Sequence, residues 1–531
     1  MIYKVEKKTL FMKKLSILFL FLAFTKIVIC QNSFWDQTSY KGAFPITDNT
    51  PATNWTSGWS NFDPENTDYP QTNTVLSNDI TSNTTLSGVI LLQNKVYVTN
   101  NASLTILPGT IIRGDYSTQG TLIITKGSKI IADGTQDQPI IFTSNEEIGL
   151  RAEGDWGGLV ILGKAVNNQP GGFANIEGIT PSSNTQYGGS DDSDNSGILR
   201  YVRVEFGGIP LEPNKEINGI TFGSVGSSTI IDFVQVSFSG DDSFEWFGGT
   251  VNCKHLIAYK GIDDDFDTDF GYRGNIQFGL AIRDNTRYDA PGDSNCFESD
   301  NDATGSSNLP QTAAVFSNFT IVGPLGDGSQ VLPVGEKFEK AFRIRRNSSI
   351  SVFNSLVTGW EKGLSIEGTA TESNVTNGSL VFSNNVLSNI PNNCVTSLAS
   401  FYEFFSTNQN DSIMSVSEIN WVDIFNSNPD ARLNENSIVS NNADFTHSKF
   451  GLISNVYNDL DQSLIIYPNP TLGVVNIKLD GPIIVKVYNH LGQIVNVNKG
   501  FNTTEIDLSS LDYGIYTLQV NQKVFKNIIK Q

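Results

Sequence analysis

Short apolar runs of alternating parity, each closed by a polar turn, recur along most of this chain. The clearest repeat lies between Thr229 and Gly271, where an offset of 22 residues lays the segment over itself. Val234 and Val236 fall on Leu256 and Ala258, Phe244 on Phe266, Glu245 on Asp267 and Gly249 on Gly271. Asp241 and Asp242 fall on Asp263 and Asp264. Strands of three to five residues recurring about every 20–25 residues, with no long helix between them, predict one solenoid coil per copy. An offset of 18 aligns Leu104 and Ile106 with Leu122 and Ile124, and Pro139 to Ser144 adds a third short strand. Later coils start at Val315, Val352 and Val381. Asn318 and Asn384 hold the same place within them and Asn354 sits one position earlier, which suggests either an inward asparagine ladder or simple turn formers. The pattern predicts an all-β chain: a right-handed parallel β-helix over residues 86–395, followed by a small Ig-like antiparallel β-sandwich.

The remaining segments divide the chain further. Residues 31–85 are aromatic and aperiodic, and Trp35, Trp55 and Trp59 fit a cap on the open end of the solenoid better than a sugar platform. Polar acidic insertions run from Tyr187 to Gly197 and from Asp289 to Asn308; loops off one edge of a solenoid are where function collects. Residues 396–462 read as a terminal cap and linker, locally helical around Ser397 to Phe425. The last 69 residues, 463–531, alternate at period two in six or seven short strands.

Composition narrows the function. A formal charge of −20 on 531 residues makes nucleic acid and anionic membranes poor partners and favours cations. Residues 1–30 hold six Lys and one Glu, so the chain without them is more acidic still. They read as a signal peptide, with Lys13 and Lys14 before the apolar run Leu15 to Phe24 and cleavage between Cys30 and Gln31. The rival reading lipidates Cys30, but Ile29 fits a lipobox poorly. Cys253, Cys296 and Cys394 then remain, an odd number at wide spacing and no disulfide framework. No later apolar run is long enough for a membrane helix.

Stacking the two acidic coils in register brings Asp241, Asp242, Glu245, Asp263, Asp264 and Asp267 together. Parallel strands lie about 4.8 Å apart, and bare carboxylates at that spacing repel one another, so such a ladder calls for a counterion. Calcium is the natural choice for an all-oxygen site. Solvated acidic loops with no specific ion are the alternative. Gly240-Asp241-Asp242 and Arg343-Ile344-Arg345 resemble polygalacturonase motifs, yet no Asn-Thr-Asp precedes the pair and no Gly-His-Gly follows it. His255 has the wrong parity. For a lyase, calcium at Asp263 and Asp264 would acidify a uronate with Arg345 as base. The residues lean towards binding rather than catalysis.

Two resemblances locate the protein. Tyr467-Pro468-Asn469-Pro470, Gly473, Val487-Tyr488-Asn489 with Gly492-Gln493, Ile506-Asp507-Leu508 with Leu511, and Gly514-Ile515-Tyr516 resemble, in order, the type A C-terminal sorting domain of the type IX secretion system of Bacteroidota. That resemblance implies export through the periplasm, recognition of residues 463–531 by the outer-membrane translocon, and delivery to the cell surface or medium. Tyr40, Gly42-Ala43-Phe44, Trp55, Trp59, the Leu107-to-Ile112 turn and Gly154-Asp155-Trp156-Gly157-Gly158 resemble secreted β-helix proteins of Bacteroidota akin to certain leptospiral outer-membrane lipoproteins. The expected function is adhesion or glycan binding at the surface, with calcium-stapled coils; the alternative is a polysaccharide lyase or glycoside hydrolase.

Overall fold

A strand of period two puts alternate side chains on opposite faces, and a solenoid repeats that choice coil after coil. In the computed structural model of the chain, the structure describes residues 34–47, 53–212, 215–395, 408–413, 416–439, 441–450, 465–489, 494–520 and 524–530. The signal region with Cys30 and Gln31, and Gly492, lie outside the described residues. By contacts the chain divides into two units, Met1–Asp444 and Phe445–Gln531.

The first unit is predominantly β and built from parallel sheets. A ten-stranded sheet takes its strands in chain order, from Lys95–Val98 to Asn392–Val395, each paired in parallel with the next. One face of it carries a continuous buried row: Val96, Leu122, Leu159, Ile220, Phe244, Phe266, Phe297, Phe342 and Leu364. The phenylalanine rings follow one another with centroids 5.7, 4.9 and 4.8 Å apart, stacked at both ends and tilted by 35° between Phe266 and Phe297. Such aromatic contacts add to the burial of apolar area.

The other wall of the solenoid is a seventeen-stranded parallel sheet. Here the register read from the 22-residue offset is observed: Val234 pairs with Leu256 and Val236 with Ala258. In the early coils this wall has two short strands per coil, such as Lys129–Asp133 and Ile140–Ser144. From Gly197–Glu205 onward they fuse into one strand. The fused strands bend at a residue in the left-handed region, a column formed by Tyr201, Phe233, His255, Phe278 and Asn318, with Asn354 and Asn384 continuing it between split strands.

Five expectations about this unit need correction. Leu104 and Ile106 pair with Ile130 and Ala132, whereas Leu122 pairs with Val96 and Leu159 in the other sheet. Consecutive strands of one coil share the same apolar-then-glycine pattern, so the offset of 18 matched two walls rather than two coils. The three asparagines are in register, because Ser317 pairs with Phe353 and Phe353 with Ser383. Their amides reach outward to covering chain: Asn318 Nδ2 donates to the Tyr40 carbonyl at 2.9 Å and Asn354 Nδ2 to the Asp444 carbonyl at 3.0 Å. The aromatic N-terminal segment lies along this bent column, not over the open end. Trp59 is fully buried against Tyr201 and Phe233, and Gln235 and Gln277 each exchange two hydrogen bonds with its backbone, at Asn61 and Asp36. Finally, coil pairing starts at Thr74 and continues to Ile413, beyond both expected limits. Residues 397–407 lie outside the described residues; within 408–425 the chain forms strands Asp411–Ile413 and Trp421–Asp423 with a single 3-10 turn at Val416–Glu418 between them, and the one α-helix among the described residues is Thr369–Thr376.

The second unit is an antiparallel sheet of strands Ile465–Tyr467, Val474–Tyr488, Ile494–Asp507, Gly514–Val520 and Val524–Lys530. Among the described residues it has five strands where the sequence pattern predicts six or seven, because the chain at Asp480-Gly481-Pro482 continues as a register shift within one long strand instead of turning. Its core holds Val475, Ile477, Val485, Val487, Leu518 and Ile528.

Candidate metal centre

The outward row of the ten-stranded sheet, one residue out of phase with the buried row, changes character along the solenoid. It reads Tyr97, Ile123, Val160, Thr221, Glu245, Asp267, Glu298, Arg343 and Ser365. Its apolar start is roofed by the insertion carrying Ile176, Ile179 and Tyr187. Beyond that roof the row turns acidic, and the turns preceding its strands add Asp241, Asp242, Asp263 and Asp264.

Close backbone approach fixes the first of these turns. A Cβ on Gly240 would stand 2.3 Å from the Gly208 carbonyl oxygen and 2.7 Å from the Gly154 nitrogen, so only glycine fits between the two loops. Asp242 Oδ1 then accepts the Asp264 amide at 2.9 Å, Asp264 Oδ1 accepts the Asn295 amide at 2.6 Å, and Asn295 Oδ1 accepts the Lys340 amide at 3.2 Å. Each side chain therefore ties its own coil to the next. Beneath them the fully buried Arg283 pairs with Asp265 at 2.9 Å and donates to the carbonyls of Gly261, Asp263 and Asn295.

Five of the six acids named from the sequence fall into two overlapping groups. Asp241, Asp242 and Asp263 form one, and Asp242, Glu245 and Asp267 the other, with ligand atoms in each group within 4.8 Å of one another. Asp264 belongs to neither, because its Oδ1 is held by the amide and side chain of Asn295. The donor set is all oxygen. Two oxygens bound at 2.3–2.6 Å to one calcium ion stand at most about 5 Å apart, so both groups are of a size to share an ion. Two polar atoms nearby are buried without a hydrogen bond, Oδ1 of Asp267 and Oδ1 of Asn218, and the Asn218 Nδ2 lies against Glu245 Oε2. The residues present fit a hard divalent cation.

Electrostatics describe the same place. Burial, then the charges of Asp241, Asp263, Asp267 and Asp264, push the Asp242 carboxyl well above the usual range. Burial and Glu177 do the same to Glu245, and burial and Glu245 to Asp267. Burial raises Asp263 above the usual range as well, helped by Asp264 and Asp241. Where the row reaches Glu298, burial and Asp264 outweigh two arginines and hold its carboxyl at about 7. Arg343 meets Glu298 at 3.1 Å and Asp293 at 3.2 Å; Arg345 meets Glu298 and, at 2.9 Å, Asp300; Arg346 meets Asp300 at 2.6 Å. The arginines thus occupy the far end of the row and leave the Asp241-to-Asp267 end acidic.

Sequence reasoning missed Glu298, Asn218 and Arg283. Glu298 was within reach, since Cys296-Phe297-Glu298 continues the Asp265-Phe266-Asp267 pattern, but the second acidic insertion broke the spacing. His255 is remote from the acids, in the other sheet, stacked between Phe233 and Phe278 and bonded to Asp232 at 2.7 Å. Cys253 and Cys296 are free and buried.

Residues 74–423 match the family described as a pectate-lyase-like β-helix domain, which covers most of the chain. The chain belongs to that family. In this pectate-lyase-like β-helix protein, residues 465–531 match the secretion-system C-terminal sorting domain. Among curated proteins no relative matches the chain. The sorting-signal positions Tyr467, Pro468, Asn469, Pro470 and Gly473 lie where the first strand of the tail turns into the second, and Gly514 and Tyr516 on its fourth strand. Asn469 Oδ1 accepts the Ile529 amide, joining the Tyr-Pro-Asn-Pro turn to the final strand. A Cβ on Gly473 would lie 2.4 Å from Ser509 Oγ. This domain sends the β-helix through the type IX secretion system to the cell surface or extracellular space, and no helix of the described residues is long and apolar enough to cross a membrane.

Proposed function

We propose that this exported β-helix protein works in adhesion or glycan binding outside the cell, with calcium holding its acidic coils together. The observation that supports this reading most directly is the pair of carboxylate groups within 4.8 Å, stacked in register on neighbouring coils. Held apart from any cation, these carboxylates repel across a partly dry site, where like charges cost several times what they cost in water. An ion replaces that repulsion with coordination. The tail is read as an Ig-like sandwich handled by the translocon, in a Bacteroidota host, after removal of an N-terminal signal between Cys30 and Gln31.

The alternative, a polysaccharide lyase or glycoside hydrolase, draws on the family description and on the carboxyls pushed upward at Asp242 and Glu245, which suit acid chemistry. Against the lyase stands Arg345. Glu298 and Asp300 raise its pKa above the ordinary guanidinium value, so it is a poor base. Two measurements decide between the readings. Thermal melting with calcium and with a chelator tests the ion, and equal melting temperatures would remove it. Incubation with acidic and neutral polysaccharides tests catalysis, with new unsaturated or reducing ends as the sign of an enzyme and retention without cleavage as the sign of a binder.

A further inference from the structure

We propose that the acidic site is dinuclear: two calcium ions share the Asp242 carboxylate, the outer one held with Asp241 and Asp263 and the inner one with Glu245 and Asp267. This deepens the calcium reading above and rests on it. Asp242 is the member common to both groups, whereas Asp241 and Asp263 do not share a group with Glu245 and Asp267. A single ion therefore cannot reach all five carboxylates, because its ligand atoms would have to lie within about 5 Å of one another.

Charge points the same way. The five carboxylates carry a formal −5, and Asp242 and Glu245 are both only 7 % exposed. One divalent ion would leave −3 in a largely water-excluded place, and two leave −1. The guanidinium groups around the site are already engaged, Arg283 by Asp265 and Arg343 and Arg345 by Asp293, Glu298 and Asp300.

Asn218 supplies an observation independent of the acids. It is 2 % exposed, its amide nitrogen lies against Glu245 Oε2 and donates to Thr221 Oγ1 at 3.1 Å, a hydroxyl that can equally donate to an oxygen, and its carbonyl oxygen has no hydrogen-bond partner. Amide nitrogen and oxygen exchange places by a half-turn of the side chain. Turned over, Asn218 presents a neutral oxygen beside Glu245, which is a ligand for the inner ion. The unpartnered Oδ1 of Asp267 belongs to the same inner centre. The outer centre has neither and is closer to solvent, since two of its three carboxylates, Asp241 and Asp263, are half-buried, against Asp267 alone in the inner one.

The test is a count. The full-length exported chain is stripped with chelator, reloaded with calcium chloride, and its bound calcium measured by equilibrium dialysis and elemental analysis. Two ions per chain are expected, falling to one in Asp263→Asn and to one in Asp267→Asn, and to none in Asp242→Asn. Circular dichroism checks that each variant keeps its β signal. If Asp242→Asn does not fold, the two single-centre variants decide the matter alone. One ion in the wild type, or loss of both ions in either single-centre variant, overturns the dinuclear site but leaves calcium binding in place. No bound calcium in the wild type overturns this inference and the calcium reading together.

Discussion

The two faces of the ten-stranded sheet share one backbone and one register, and differ by a single residue of phase. On the inner face every step from Val96 to Leu364 meets a like neighbour, and its central rings follow one another. On the outer face the same pairing sets Glu245 on Asp267 and Asp267 on Glu298, so register multiplies repulsion as readily as it multiplies packing. A parallel solenoid amplifies whatever a coil repeats. The inner row makes the stack stable; on the proposed reading, the outer row makes it depend on calcium from the solvent.

The comparison can be broken at either face. The largest loss is expected from Phe266→Ala, which removes a fully buried ring from the inner row and leaves a cavity between Phe244 and Phe297; denaturant melting should show about 3–5 kcal/mol lost. Next comes the cation: with calcium at a hundredfold excess over its dissociation constant, each proposed centre should add about 3 kcal/mol in the same melt, a gain that chelator should remove and Phe266→Ala should not touch. A third effect sharpens the contrast through pH. Burial holds Asp265 at about 6 and Glu298 at about 7, and Asp242, Glu245 and Asp267 are also raised. A carboxylate whose folded pKa lies above its unfolded value of about 4 keeps its proton longer in the folded state, so its contribution to stability is lost as pH rises from about 4 to 7. Without calcium the melting temperature should therefore increase on going from pH 7 to pH 5, and with calcium that slope should flatten. The smallest effect is expected at the rim, where Lys362 meets Glu339 at 2.6 Å with both side chains about one-third exposed; Lys362→Ala should cost less than about 1 kcal/mol in the same melt.

How much of this could be read beforehand depended on whether a coil was interrupted. Between Thr229 and Gly271 no insertion intervenes, and the offset of 22 returned the true register in both sheets. Between Leu104 and Leu122 the same reasoning confused two walls of one coil, since strand composition carries no mark of which wall a strand joins. The acids at 241, 242, 245, 263 and 267 were legible because charge repeated in phase; the partners that shape them were not. Asn218, Arg283 and Glu298 stand outside any short period, and only the stacking brings them near. The bent column was half visible as recurring asparagines. Its aromatic half, with His255 among phenylalanines, gave no period, because an aromatic residue at left-handed φ reads as an ordinary strand position.

That column has a bearing on how the chain reaches its finished form. Asp36 clasps Gln277, 241 residues further on, and buried Lys41 meets Asp411 across 370 residues. The stretch that leaves the ribosome early has no seat until coils made much later exist, so its tryptophans must wait uncovered while the stack grows beneath them.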